Sequence, residues 1–165
     1  MSQRDATQRF VFRRMIQPYW RMQRGLTLGA QGIVVEAATD GATDGHRVLL
    51  VKHSYRPGWC FPGGGVEKGE TVATALAREL DEEAGVALDG PPDLFGIYSN
   101  ERAFPGDHVV LYLVRSWRRL RVPEPTREIV AQDFFAASSP PPDCDPATAR
   151  RLAEVFGGAP RDALW

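Results

Sequence analysis

The sequence predicts an α/β fold, a mixed sheet with helices packed on its faces, and three observations carry that expectation. Short aliphatic-rich runs recur at residues 26–36, 47–54, 94–99 and 109–114, as strands would. One amphipathic helical run follows a glycine turn and stops at Gly85. A second helix is delimited by Asp145 and Gly157. At 165 residues and 43% hydrophobic content the chain can bury one good core, so residues 25–165 read as one domain behind a basic extension, residues 1–24.

Charge and cysteine usage narrow the classes. A net charge of −1 hides an asymmetry, because the extension carries Arg4, Arg9, Arg13, Arg14, Arg21 and Arg24 against Asp5 alone. Two cysteines, Cys60 and Cys144, make no disulfide framework, and neither a secretory h-region nor a long apolar run stands out. A reducing cytoplasm is the expected location.

The extension interleaves Phe10, Val11, Phe12, Met15, Ile16, Tyr19 and Trp20 with its arginines, and the spacing allows a short helix up to Gln17, before Pro18. Its apolar residues fit cover for a core edge or a subunit interface; a phosphate-rich partner and an anionic surface are the alternatives. Strands 26–36 and 47–54 flank the turn pairs Asp40-Gly41 and Asp44-Gly45 and are expected to form a long-looped hairpin. The turn Tyr55-Arg56-Pro57-Gly58 then delivers Trp59 and Phe61 beside the glycines. An aromatic there reads equally as a nucleobase platform and as core cover.

In the central run, Gly63-Gly64-Gly65 is expected to turn and a helix to follow. Glu79, Glu82 and Glu83 fall at i, i+3 and i+4, within an arc of about 100°. Ala73, Leu76, Ala77, Leu80 and Ala84 take the neighbouring arc, and Gly85 suits a left-handed cap. Asp89-Gly90-Pro91-Pro92 breaks the chain before strands 94–99 and 109–114. Their polar link, with Pro105-Gly106, is expected to line a substrate cleft, where His108 reads as a base, a phosphate contact or an ordinary surface group. Arg115, Arg118, Arg119 and Arg121 cluster around Trp117, as a solvated strand end or, as the minority reading, a phosphate site. After the proline-rich loop 138–143, Asp145 reads as N-cap and Pro146 as the first helical residue. Leu152, Val155 and Phe156 give that helix its apolar side.

Three carboxylates projecting together need an explanation. Like charges at this spacing repel by a few tenths of a kcal/mol per pair, roughly, and they sit where the macrodipole disfavours anions. A solvated acidic face is the bland account. A bound cation is the other, and hard oxygen ligands with no His or Cys beside them in sequence suit Mg²⁺ or Mn²⁺ better than zinc. On the glutamates alone the bland account is favoured; the glycine turn together with the full motif, Gly64 to Val86, reverses that.

Gly64, Glu70, Arg78, Glu79, Leu80, Glu82, Glu83, Gly85 and Val86 fill every specified position of G-x5-E-x7-R-E-U-x-E-E-x-G-U, with U a bulky aliphatic. This resembles the signature of the Nudix hydrolases, and Trp59-Cys60-Phe61-Pro62 is similar to the family's lead-in. The likeness spans roughly residues 26–156. It implies an α/β/α sandwich whose motif forms a loop-helix-loop. It also implies hydrolysis of a diphosphate bond in a nucleoside diphosphate linked to another group, by metal-activated water, with Mg²⁺ or Mn²⁺ as cofactor.

By the same resemblance Glu79, Glu82, Glu83 and the Gly64 carbonyl hold metal. Glu128, before the aromatic run 129–135, is the candidate further ligand, with Glu101 and Glu124 as competitors. The general base is sought first at Glu82 and Glu79, then at Glu128. Arg78 and Glu70 orient the carboxylates. Arg56, Trp59, Phe61 and His108 are the candidate substrate contacts.

Family subsets differ downstream of the motif, by a proline some fifteen residues on or a tyrosine slightly further. Here Pro105 lies nineteen past Val86 and Tyr98 twelve, so no subset is assigned. Nucleoside triphosphate cleavage stays open, as does RNA 5′-end trimming, which is not favoured. A homodimer is also open. Two competing classes are a nucleotide-binding sensor without turnover, which would usually have lost motif glutamates kept here, and a nucleic-acid binder acting through the extension.

Overall fold

The computed structural model describes residues 25–36 and 45–165. The extension 1–24 and the Asp40-Gly41 turn lie outside the described residues.

Strand β1 (Thr27–Val34) organises the first sheet. It runs parallel to β7 (Asp107–Val114), which pairs antiparallel with β6 (Asp93–Ser99). On its other edge β1 meets β4 (Gly63–Gly65), antiparallel, with Ala30 opposite Gly64. The order is β4-β1-β7-β6. A second sheet has the order β3-β2-β9, from Trp59–Cys60, Arg47–His53 and Ile129–Ala136. Strands β5 (Val86–Leu88) and β8 (Trp117–Arg119) form a separate antiparallel pair.

Two expectations are corrected here. The strands 26–36 and 47–54 do not form a hairpin: β1 and β2 belong to different sheets, and among the described residues their backbones pair just past the end of β1, at the Val35–Val48 bridge and the Glu36 N–H to Arg47 carbonyl bond. The physical reason is that both edges of β1 are already paired, with β4 and with β7. The triple glycine is not a free turn but an edge strand. A Cβ on Gly63 would lie 2.1 Å from the Ala30 carbonyl oxygen, and Gly63 holds φ +141°, so only glycine permits this approach.

Helix α1 (Val72–Ala84) forms where expected, with the Thr71 side chain accepting the Thr74 N–H and Gly85 in the left-handed region at φ 62°. It buries Ala75, Leu76, Leu80 and Ala84, while Ala73 and Ala77 are half-buried. Leu76 and Leu80 pack with Ala30, Val34, Leu49 and Val114, each leucine worth about 1.5–3 kcal/mol of burial. Helix α2 (Pro146–Phe156) is capped by Asp145, whose side chain accepts the N–H groups of Ala147 and Thr148. Its Leu152 joins Ile33, Val48, Leu50, Phe61, Tyr98, Leu111 and Leu113 on the opposite side. Alternation along β2 sends Leu49 to the α1 side and Val48 and Leu50 to the α2 side, which makes the strands the filling of an α/β/α sandwich.

The arginines around Trp117 all have partners within the described fold, as the strand-end reading expects. Arg115 pairs with Asp93 at 2.7 Å, and Arg118 and Arg121 pair with Asp89 and Asp81. Arg119 donates to the carbonyl of Ala84 and to Gln132. Each guanidinium ties β8 and its flanks to a neighbour. Among the described residues no helix is long and apolar enough to cross a membrane.

Candidate active site

Helix α1 delivers its three glutamates to three different environments. Glu82 is exposed, Glu79 half-buried, and Glu83 buried with its side chain 7% exposed. The acidic face expected from the helical arc is therefore graded. Because α1 lies across β1 and β4 with its C-terminal turn against the glycine strand, Glu83 reaches back and its Oε2 accepts the Gly63 N–H at 2.8 Å.

Arg78 binds this array together. Its Nε and Nη2 take the two oxygens of Glu70 at 2.9 and 3.1 Å, a two-point fork. Its Nη1 reaches Glu79 Oε1 at 2.7 Å and Glu82 Oε2 at 3.3 Å, and Nη2 donates to the Gly65 carbonyl at 3.1 Å. Glu70 also accepts the Glu67 N–H, which pins the loop ahead of α1. Gly64 lies directly beneath Glu79: a Cβ there would sit 2.5 Å from Glu79 Oε1.

Glu128 enters from the segment before β9. A cavity of about 330 Å³ is lined by Glu79, Glu82, Glu83, Thr126, Arg127, Glu128 and Ile129. An adjoining space of about 370 Å³ runs from Glu82 and Glu83 along Val122 to Thr126 and Ile129 to Gln132, and Glu124 lines it. Glu101 lines neither cavity; its Oε2 holds the Gly106 N–H at 2.7 Å within the 100–106 turn. The polar link after β6 is likewise used on itself, with Asn100 donating to Asp107.

Burial raises the carboxyl of Glu83 to a pKa of about 8, with the Gly63 N–H opposing and the charges of Glu79 and Glu128 adding to the rise. Glu79 is raised too, chiefly by burial and against Arg78. Glu70 goes the other way, lowered by its hydrogen bond from Arg78. Two carboxylates, Glu79 and Glu128, thus act on Glu83, which has no Lys or Arg ion-pair partner among the described residues, although the charge of Arg56 offsets part of the rise. An oxygen-rich cluster whose most buried carboxylate has no such partner among the described residues fits a divalent cation.

Other sequence-based candidates fall elsewhere. Phe61 is fully buried in the α2-side core and cannot stack on a base, because its position on the strand-to-glycine lead-in points it inward. Trp59 covers that same core, edge-on to Phe135 at 4.8 Å. His108, near the start of β7, lines neither cavity. Arg56 lines neither as well, although its charge acts on Glu83.

One residue was missed altogether. His53, at the end of β2, is buried with Nε2 3.6 Å from Glu83 Oε1, so the statement that no histidine accompanies the carboxylates holds along the sequence and fails in space. The signal was parity: His53 continues the alternation of Leu49 and Val51. Tyr55 follows it, with its hydroxyl 3.5 Å from Glu128 Oε1.

Comparison with known proteins adds the following. The family profile of the NUDIX domain matches residues 32–155. The chain is 38% identical over 82 residues to an RNA pyrophosphohydrolase of Halorhodospira halophila, covering 50% of this chain and 36% of that one. It is 40% identical over 77 residues to an ADP-ribose pyrophosphatase of Methanocaldococcus jannaschii, covering 44% and 45%. An 8-oxo-dGTP diphosphatase of Escherichia coli matches at 42% over 60 residues, covering 34% and 43%. The matched stretch spans less than half the length of each of these relatives. Among solved structures, a MutT NUDIX hydrolase from Burkholderia pseudomallei aligns with a TM-score of 0.63 and 28% identity, over 79% of this chain and 98% of that one.

Proposed function

The chain belongs to the Nudix hydrolase family, and from that premise we propose that it is a pyrophosphohydrolase using Mg²⁺ or Mn²⁺ to cleave a diphosphate bond in a nucleoside diphosphate derivative. The observation that carries the reading is the convergence of Glu79, Glu82, Glu83 and Glu128 on one cavity of about 330 Å³. Residues 25–165 act as one catalytic domain in this account.

A diphosphate resists water because its anionic oxygens repel a nucleophile. A divalent cation, when bound, neutralises those oxygens and acidifies a coordinated water. Glu79, Glu82, Glu83 and Glu128 are the residues that would hold it, with the Gly64 carbonyl beside Glu79. Glu82 is the carboxylate best placed to accept the proton of the attacking water, because it is exposed and its one partner, Arg78, is 3.3 Å away. Glu79 is the next candidate. Arg78 and Glu70 act as positioning residues, since their fork fixes the carboxylates without facing the cavity. The neighbouring 370 Å³ space, with apolar Val122, Ile129 and Val130, offers room for the group carried by the diphosphate.

The three relatives print three different activities at similar identity, so the substrate is a matter for experiment. A panel of nucleoside triphosphates, ADP-ribose, NADH, dinucleoside polyphosphates, sugar nucleotides and 5′-triphosphorylated RNA, each with Mg²⁺ or Mn²⁺, tests the reading. One substrate turned over and silenced by chelation supports it. Nucleotide binding with no turnover across the panel would move the weight to a sensor.

A further inference from the structure

His53 ends β2 within the site and is unused by the reaction as described. Its side chain is 3% exposed, and its ring lies 4.9 Å from that of Tyr55, which restrains the imidazole plane. Its Nε2 faces Glu83 Oε1 at 3.6 Å, and its Nδ1 has no hydrogen-bond partner among the described residues. A buried imidazole in this state is unusual, since burying an unpaired polar group costs about 1–3 kcal/mol.

The surroundings give the ring a purpose. Glu83 spends Oε2 on the Gly63 N–H, which leaves Oε1 as its free donor atom, the one turned to His53. Glu128 supplies a third donor: one ligand atom from each of His53, Glu83 and Glu128 lies within 4.8 Å of the others. Bonds of about 2.0–2.2 Å to a first-row cation set neighbouring donors about 3 Å apart and opposed ones about 4.3 Å, so small side-chain rotations close the set.

We propose that His53 is a nitrogen ligand which, with Glu83 and Glu128, makes a mixed nitrogen and oxygen cation site that selects a first-row transition ion such as Mn²⁺ over Mg²⁺. The chemistry follows from donor type. Mg²⁺ demands hard oxygen donors and keeps its waters, whereas imidazole adds affinity for first-row transition ions, rising from Mn²⁺ towards Cu²⁺. The inference rests on the reading that Glu83 and Glu128 hold the cation, and it adds the ligand that sets which cation.

The test is pulsed electron paramagnetic resonance of Mn²⁺ bound to the full chain, in natural-abundance protein and in protein grown with [¹⁵N]histidine. Labelling changes no side chain, so folding is not at issue. The expected result is a ¹⁴N modulation that converts to the ¹⁵N pattern on labelling and disappears in His53→Asn. In that variant the Mn²⁺ over Mg²⁺ preference, measured by competition, falls about tenfold or more. Bound Mn²⁺ with no histidine coupling would overturn the inference while leaving the carboxylate reading standing. Coupling that persists in His53→Asn would overturn it by pointing to another histidine. Failure of the wild-type chain to bind Mn²⁺ at all would overturn the inference and the carboxylate reading together.

Discussion

Glu83 Oε2 accepts the N–H of Gly63 at 2.8 Å across twenty residues of sequence, tying the end of helix α1 to the glycine strand. That bond holds a carboxylate inside the fold at a point where, among the described residues, no Lys or Arg pairs with it. It places the charge problem, and the cation that would solve it, at the junction of β4, α1 and the segment before β9.

Gly64 carries the first prediction. A methyl group at this position would fall 2.5 Å from Glu79 Oε1 and 2.7 Å from its Cδ, so Glu79 must swing out of its contact with Arg78. Gly64→Ala is expected to lose about a hundredfold in turnover, the scale of an ångström-sized misplacement. Circular dichroism should show the melting temperature shifted by no more than a few degrees, roughly, because the clash is with a side chain. Full turnover would show that the observed place of Glu79 is not needed.

Arg78→Lys keeps the charge and removes the fork. The variant can satisfy one oxygen of Glu70 but not both, and it drops the bond to the Gly65 carbonyl. Calorimetric titration with Mn²⁺ should show affinity weakened about 10–100-fold. Unchanged affinity would mean that the carboxylates orient themselves.

Glu83 also predicts how the metal-free protein responds to pH. Its folded pKa, about 8, is above that of an unfolded carboxylate, so the folded state binds the extra proton. The stability this provides is fully present below about pH 4.3 and is lost as pH rises towards 8. His53 acts with the opposite sign, because burial lowers its pKa, but its contribution is complete by about pH 6.5. Chelated protein should therefore lose melting temperature between about pH 6.5 and 8, and saturating Mg²⁺ should remove the slope. A flat or rising profile in that window would contradict the buried, protonated carboxyl.

Arg151 predicts a stability effect away from the site. Its guanidinium and the Glu154 carboxylate are 2.7 Å apart with side chains 0% and 3% exposed, and it lies 4.2 Å from the Tyr98 ring centroid while bonding the Leu164 carbonyl. Arg151→Met leaves Glu154 buried without its cation and should cost about 3–5 kcal/mol in urea unfolding. A loss under about 1 kcal/mol would mean that Tyr98 and the Asp162 N–H suffice for Glu154.

Legibility in the sequence followed the range of the interactions. Helix caps are local, and Gly85, Asp145 and Gly157 sit where turn chemistry places them; the Arg78 array is nearly as local. Strand partners are not local. Nothing in residues 26–54 says that β1 will take β7 and β4 as neighbours, and the hairpin expectation failed on that. The buried state of Glu83 was hidden for the same reason, because the helical arc groups it with exposed Glu82 and only the sheet beneath separates them. His53 was out of reach of motif spacing, since it lies thirty residues before Glu83 and meets it through the fold. Phe61 misled because an aromatic beside a glycine loop serves core and cleft with equal ease, and only the register of β3 against β2 decides.

The central claim is that Glu83 and its neighbours hold the cation that drives diphosphate hydrolysis, and one comparison addresses it directly. Glu83→Gln keeps the side-chain shape and an oxygen for the Gly63 N–H but removes the charge. Turnover of the best substrate should be measured against Mg²⁺ concentration for this variant and for the unaltered chain. The account predicts a loss of more than about a hundredfold at any Mg²⁺ level, beyond the usual effect of an outer partner, with the melting temperature preserved. Turnover equal to that of the unaltered chain would contradict it.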